Sequence, residues 1–246
     1  MKRTAKSEVR KKIKEVPGVD WEFVEKVISC QCFRTIYLYG PPGIGKTWAA
    51  YNMGDTSDGV LSVTLTEDTP AMELRGHYVT TERGMVWQDG SFTRAMRSGQ
   101  RLVLNEPSHS APDVQSFLYP VLENLETARL TLPTGETVTP APGFRVILTD
   151  NLPPDQLPAA LQDRVNSVLH ISRPHPDALA LLSPEIREAA SVSFRLEAER
   201  RVSLRGWLML EEASAFLGLA DAALAVFGPE RGPQILSAIE LGKATG

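Results

Sequence analysis

The chain has 246 residues, 42% of them hydrophobic and 23% charged, with a formal net charge of -4. Those values suit a globular protein with room for one large domain, or one plus a small one, and the acidic balance argues against general polyanion binding. No apolar run reaches the roughly 18 residues of a membrane span, and the N-terminus lacks the apolar stretch of a signal peptide, so no membrane partner and a cytoplasmic location are expected.

In chain order, residues 1–33 read as a basic arm followed by a leading helix. Lys2, Arg3, Lys6, Arg10, Lys11, Lys12 and Lys14 make the arm, a solvated leader or, in the other reading, a nucleic-acid contact. Cys30 and Cys32 are separated by one residue and the four histidines are scattered, so neither a disulfide framework nor a zinc spacing is present. Reduced, partly buried thiols are expected there.

Short β-branched runs then recur at Thr35–Tyr39, Leu61–Thr66, Leu102–Leu104, Phe144–Thr149 and Ser167–Ile171. Each gap between them is long enough for a crossover, which predicts a parallel, doubly wound sheet over residues 34–172. Two segments do not fit plain crossovers. A mixed stretch near residues 70–90 reads as an insertion, and residues 127–140 hold a second one. Within the second, Ala128–Leu132 and Glu136–Thr139 alternate around Pro133-Thr134-Gly135 as a β-hairpin. Beyond residue 173 the segments 184–201, 203–217, 220–227 and 234–241 carry Ala, Leu and Glu at helical spacing, punctuated by Gly218, Gly228 and Gly232. They predict a small helical domain over 173–246.

Gly40-Pro41-Pro42-Gly43-Ile44-Gly45-Lys46-Thr47 matches G-x-x-x-x-G-K-[ST] in full. The expected strand precedes it and a helix through Trp48 can follow. Glycines let backbone N–H groups wrap around phosphates, the helix N-terminus adds its positive dipole end, Lys46 supplies a point charge, and Thr47 offers a hydroxyl to Mg²⁺. Such a site needs a second strand ending in acidic groups, and Arg101–Glu106 is the candidate. Glu106 would orient the attacking water. Asn105 stands where an Asp is usual, so it can accept from a metal-bound water but adds no negative charge. Low hydrolytic activity is therefore expected.

With both motifs in place, the sequence resembles the MoxR branch of the AAA+ ATPases from about Thr35 to Gly242. The resemblance implies a five-stranded parallel sheet flanked by helices, with an all-helical lid. It also implies ATP with Mg²⁺ as cofactors, and ATP over GTP rests on it alone. Thr66–Pro70 with Glu73–Tyr78 looks like the branch's insertion in its second helix, placed over a ring's pore, and 128–139 looks like its pre-sensor hairpin. Asn151 is similar in position to the first sensor of the γ-phosphate. Leu157–Arg164 is similar to the segment ending in an arginine finger that serves a neighbouring subunit, with Val165 where Phe is usual. Ser203-Leu204-Arg205 looks like the opening of the second-sensor helix. An N-cap serine followed by a cation at the positive end of a helix suggests an anion nearby, which favours Arg205 over Arg195. Lys46, Thr47, Glu106, Asn151, Arg164 and Arg205 are thus the residues expected to act, with Gly40, Pro41, Pro42, Gly43, Ile44, Gly45 and Trp48 around the nucleotide and Thr47, Asn105 and Glu106 at the metal.

The resemblance further implies a homo-oligomer, a hexameric ring, that remodels a client protein, possible clients including those with a von Willebrand factor A domain. Two alternatives stand beside it. One is a nucleotide-gated assembly protein with weak hydrolysis. The other is a nucleic-acid-associated relative, whose Asn-Thr-Ala-Asp stretch Thr149-Asp150-Asn151-Leu152 does not match.

Overall fold

The computed structural model of the chain describes residues 18–124, 126–196 and 200–245. The basic arm, residues 1–17, lies outside them. The leading helix is α1, Trp21–Ser29. Asp20 caps it by accepting from the Phe23 N–H at 2.7 Å, and Trp21, Val24, Val27 and Ile28 fall on one buried face.

The strands are β1 (Thr35–Tyr39), β2 (Val60–Thr64), β3 (Gly76–Thr81), β4 (Gly84–Asp89), β5 (Arg101–Asn105), β6 (Leu130–Thr131), β7 (Thr137–Val138), β8 (Arg145–Asp150) and β9 (Ser167–His170). Five of them form one sheet in the order β2-β5-β8-β1-β9, and every pairing in it is parallel. The three central strands, β5, β8 and β1, are buried almost throughout because helices cover both faces. Alternation sorts their side chains. Ile36, Leu38, Val103 and Ile147 face a core shared with α1 and the C-terminal helices. Tyr37, Leu102, Leu104, Val146 and Leu148 face the other core, with Phe92, Met96 and Leu118.

The helices after α1 are α2 (Lys46–Asn52), α3 (Ala71–Arg75), α4 (Ser91–Ser98), α5 (Pro112–Val121), α6 (Ala159–Gln162), α7 (Pro176–Ala180), α8 (Pro184–Ser193), α9 (Leu204–Leu217) and α10 (Leu219–Thr245). The segment read as 184–201 is helical only to Ser193, with Phe194 as its C-cap. The two segments read at 220–227 and 234–241 fall within α10, which bends at Gly228 (φ 77°) and restarts with Pro229. Gly232, read as punctuation, lies inside that helix. A Cβ there would sit 2.8 Å from the Ala223 carbonyl oxygen, so glycine serves close packing and not a break. The C-terminal helices are not a separate core: Leu204, Trp207, Leu210 and Ile239 join the sheet's own cluster.

Both insertions carry antiparallel pairs, β3 with β4 and β6 with β7. The first is a hairpin that the sequence reading left undefined. The two hairpins are tied by Arg97, whose Nε donates to Asp89 Oδ2 at 2.7 Å while Nη2 donates to Glu136 Oε2 at 2.7 Å. Cys30 and Cys32 are joined as a disulfide, contrary to the reduced thiols expected. Two residues apart, their Cα atoms lie 5.4 Å from each other, within bridging range. Among the described residues no helix is long and apolar enough to cross a membrane.

Candidate functional site

Parallel register decides what meets at the carboxyl ends of the strands, where ligands of such sheets bind. Tyr39 of β1 pairs with Asp150 of β8, and Asn105 of β5 pairs with Thr149. The loop after β1 therefore starts beside Asn151, and Glu106 leaves β5 beside Asp150.

That loop, Gly40–Gly45, uses glycine where nothing else fits. Gly40 has φ 148°, and a Cβ there would come within 1.9 Å of the Ile171 carbonyl oxygen; Gly45 at φ 104° turns the chain into α2. Lys46 opens α2, is 7% exposed, and donates to the carbonyls of Gly40 (2.9 Å) and Pro41 (2.7 Å) and to Asn151 Oδ1 (3.0 Å). Burial pulls its pKa down to about 8, opposed in part by the charges of Glu106 and Asp150.

Asn105 is the hub of a hydroxyl cluster. Its Oδ1 accepts from Thr47 Oγ1 at 3.2 Å and Thr149 Oγ1 at 2.7 Å, and its Nδ2 donates to Ser62 Oγ at 3.0 Å. Glu106 is the one non-glycine residue at positive φ (57°) among the described residues, a conformation that costs on the order of 1 kcal/mol and marks functional sites. Its N–H donates to the Thr149 carbonyl at 2.7 Å and its Oε1 accepts from Asn151 Nδ2 at 2.9 Å. Burial, and then the Asp150 charge, push its pKa up, while Lys46 and His109 act the other way. Asp150 is fully buried and accepts from the N–H groups of Ser108 (2.9 Å) and Leu152 (3.0 Å), which fixes the turns after β5 and β8. An open cavity of about 430 Å³, lined by residues 64–67, Glu106, His109 and Asn151, adjoins the carboxylate.

Asn151 is thus bonded to Lys46 through its oxygen and to Glu106 through its nitrogen. The expected Gly40–Thr47, Asn105, Glu106 and Asn151 come together. Arg164 does not join them: it donates to the Tyr119 carbonyl (2.7 Å), the Ala160 carbonyl (2.6 Å) and the Glu123 carboxylate. Arg205 is exposed on α9, but its neighbours touch the loop, because the Leu204 N–H donates to the Gly43 carbonyl at 2.9 Å. Ser203 is the N-cap, accepting from the Gly206 N–H at 3.2 Å, as the capping pattern predicts.

An aromatic wall escaped the sequence reading apart from Trp48. Trp48 and Trp21 stand with ring centroids 5.0 and 4.9 Å from His175, and a Cβ on Gly45 would touch Trp21 and His175. Trp21 comes from α1 and His175 precedes α7, so only the fold assembles them. The wall lies beside the phosphate loop, with Trp21 buried and Trp48 half exposed.

The fold and this loop define a P-loop nucleotide-binding protein of the AAA+ type. Residues 35–165, more than half of the chain, match the family described as AAA domain (dynein-related subfamily), and the chain belongs to that family. Within it the chain is MoxR-like. It is 33% identical over 120 residues to protein NorQ of Paracoccus denitrificans, covering 47% of this chain and 43% of that protein. It is 30% identical over 121 residues to protein CbbQ of Hydrogenophilus thermoluteolus, covering 46% and 43%. The chain thus spans less than half the length of these curated relatives. NtrX from Brucella abortus, solved in complex with ATP, shares the fold with a TM-score of 0.54 at 15% identity over 97% of this chain and 71% of that one.

Proposed function

We propose that the chain is an ATP-hydrolysing subunit of a homo-oligomeric, hexameric ring that remodels or matures a partner protein in the cytoplasm. The observation that carries the catalytic half of this reading is Asn151 bonded to both Lys46 and Glu106. ATP phosphates offer Lys46 better acceptors than the Gly40 and Pro41 carbonyls, because a charge-assisted bond is stronger than a neutral one. When Lys46 turns to them, Asn151 is released from one partner and is free to reach the γ-phosphate while holding Glu106 toward the cavity. Glu106 then takes a proton from the attacking water as the water adds to phosphorus and ADP leaves.

Thr47, Asn105 and, through water, Glu106 would hold Mg²⁺, which when bound neutralises charge building on the phosphates. The convergence of the Thr47, Asn105 and Thr149 side-chain oxygens suits a hard cation, although that cluster itself brings no charge. Arg164 would be supplied to a neighbour's site and Arg205 would read the γ-phosphate from the lid. The exposed Tyr78, Met85 and Val86 of the β3–β4 hairpin offer an apolar contact for a client, in this reading one with a von Willebrand factor A domain.

Calorimetry with ATP and size-exclusion chromatography with and without ATP test the two halves separately. Nanomolar to micromolar binding lost in Lys46→Ala supports the site, and ATP-dependent growth in size supports the ring. A strict monomer in which Arg164→Ala hydrolyses ATP normally would remove the ring. The neutral Asn105 cluster favours one second reading, a nucleotide-gated assembly protein with weak hydrolysis. Asn105→Asp decides between them: phosphate release rising at least about tenfold from near background selects the gated protein, on the Coulomb scale of one added charge beside the metal.

A further inference from the structure

At the end of the sheet opposite the nucleotide, the loop from Cys30 to Arg34 closes around a buried cation. Arg145, the first residue of β8, is 9% exposed and spends its guanidinium on that loop and on the last turn of α1 before it. Nη1 donates to the Ile28 carbonyl at 2.5 Å, and Nη2 donates to the carbonyls of Cys30 at 3.1 Å and Phe33 at 3.0 Å. No carboxylate forms an ion pair with Arg145 among the described residues. The loop's carbonyls are therefore what keeps a buried charge solvated, and their spacing matters.

The Cys30–Cys32 bridge closes the turn that carries two of the three acceptor carbonyls, those of Cys30 and Phe33, and within it the Phe33 N–H bonds the Cys30 carbonyl at 3.3 Å. Cys32 is exposed, and the loop borders a cavity of about 300 Å³ lined by Ser29, Gln31, Arg34, Arg101 and Arg145. The exposed Cys32 is open to attack by a small thiol, and three arginines, Arg34, Arg101 and Arg145, line the adjoining cavity. The end of α1 that leads into the loop packs against the turn after α2: a Cβ on Gly54 would lie 3.2 Å from the Ile28 carbonyl oxygen.

We propose that Cys30 and Cys32 form a reversible dithiol–disulfide site that exchanges with low-molecular-weight disulfides of the glutathione class, its closed form holding the loop's carbonyls on Arg145. In oxidation, the Cys32 thiolate attacks one sulfur of the small disulfide and a small thiolate leaves. The Cys30 thiolate then attacks Cys32 Sγ in the mixed disulfide and expels the second small thiolate. Two electrons pass from the cysteine pair to the small disulfide, the two cysteine protons pass to the two expelled thiolates to give two small thiols, and one S–S bond forms as one breaks.

The test equilibrates the full chain in glutathione buffers of graded ratio, quenches with an alkylating agent and reads intact mass. The expected result is a monomer passing from two alkylated thiols to none, two hydrogens lighter, with no stable mixed disulfide in the fully oxidised sample. Arg145→Lys should shift the ratio at half-oxidation toward the reduced form by about tenfold, the scale of one charge-assisted hydrogen bond. Should that variant not fold, wild type decides alone, since its reduced form should melt below its oxidised form. Two alkylated thiols at every ratio, a disulfide-linked dimer, or a bridge that resists excess reduced glutathione would each overturn the proposal. So would an unshifted ratio in a folded Arg145→Lys, or equal melting of the two wild-type forms.

Discussion

Asn151 makes two bonds with the two ends of one amide, and its removal separates binding from chemistry. Asn151→Ala should lower phosphate release by about a hundredfold, the scale of losing one group that orients the transition state, while calorimetric affinity for ATP changes little. An equal loss in both would make Asn151 a binding residue only. The depressed pKa of Lys46, about 8 against an ordinary 10.5, gives a second expectation. Phosphates favour the protonated amine, so above pH 8 the free protein must take up a proton to bind. Affinity should be flat below about pH 8 and then weaken by up to tenfold per unit, a slope absent in Lys46→Arg. The same shift acts on stability with a definite sign. Between pH 8 and 10.5 the unfolded chain holds this proton and the folded chain does not, so the Lys46 contribution rises with pH across that window and burial of its charge opposes folding below it. Calorimetry and urea titrations over pH 7–10 measure both.

At the scale of elements, Arg97 joins three of them: the end of β4, the helix α4 and the β6–β7 turn region. The partners are partly exposed, so Arg97→Ala should barely move the melting temperature, yet amide exchange should quicken in both hairpins together. Exchange that quickens in one hairpin alone would show that they are not linked. This link illustrates what the sequence could not carry, because Asp89, Arg97 and Glu136 are brought together only by α4 crossing between two insertions. By contrast, the core strands are legible. Apolar β-branched runs leave little freedom of assignment, and the observed strands at Thr35–Tyr39 and Ser167–His170 begin where the runs begin. The phosphate loop is legible for the same reason, since its glycines answer local steric demands. The β3–β4 hairpin was not, as its strands are largely exposed and lack a one-sided apolar pattern. Asn151 could be placed from its position after a strand, whereas its simultaneous contact with residues 105 and 45 positions away needed the register of β8 against its neighbours.

For the molecule as a whole, the decisive joint is where α9 meets the phosphate loop. Gly43 has φ 69°, and an added Cβ would stand 2.6 Å from Ser203 Cβ. Gly43→Ala should therefore push the lid off the loop, costing roughly 1 kcal/mol in backbone conformation alone and more in lost contact, with exchange rising at residues 203–206 and ATP affinity falling. Unchanged exchange there would mean the lid is held by its shared core and not by the joint. Trp207, 1% exposed between that joint and Phe227, anchors the shared core, and Trp207→Ala should destabilise the chain by about 3–5 kcal/mol in chemical denaturation. The chain also carries its own optical indicator. Of its four tryptophans, Trp48 is 50% exposed beside His175 and next in sequence to Thr47. A purine settling there would strip water from the indole and alter its emission while Trp207 stays unchanged, so occupancy of the site can be followed in a fluorimeter without any label.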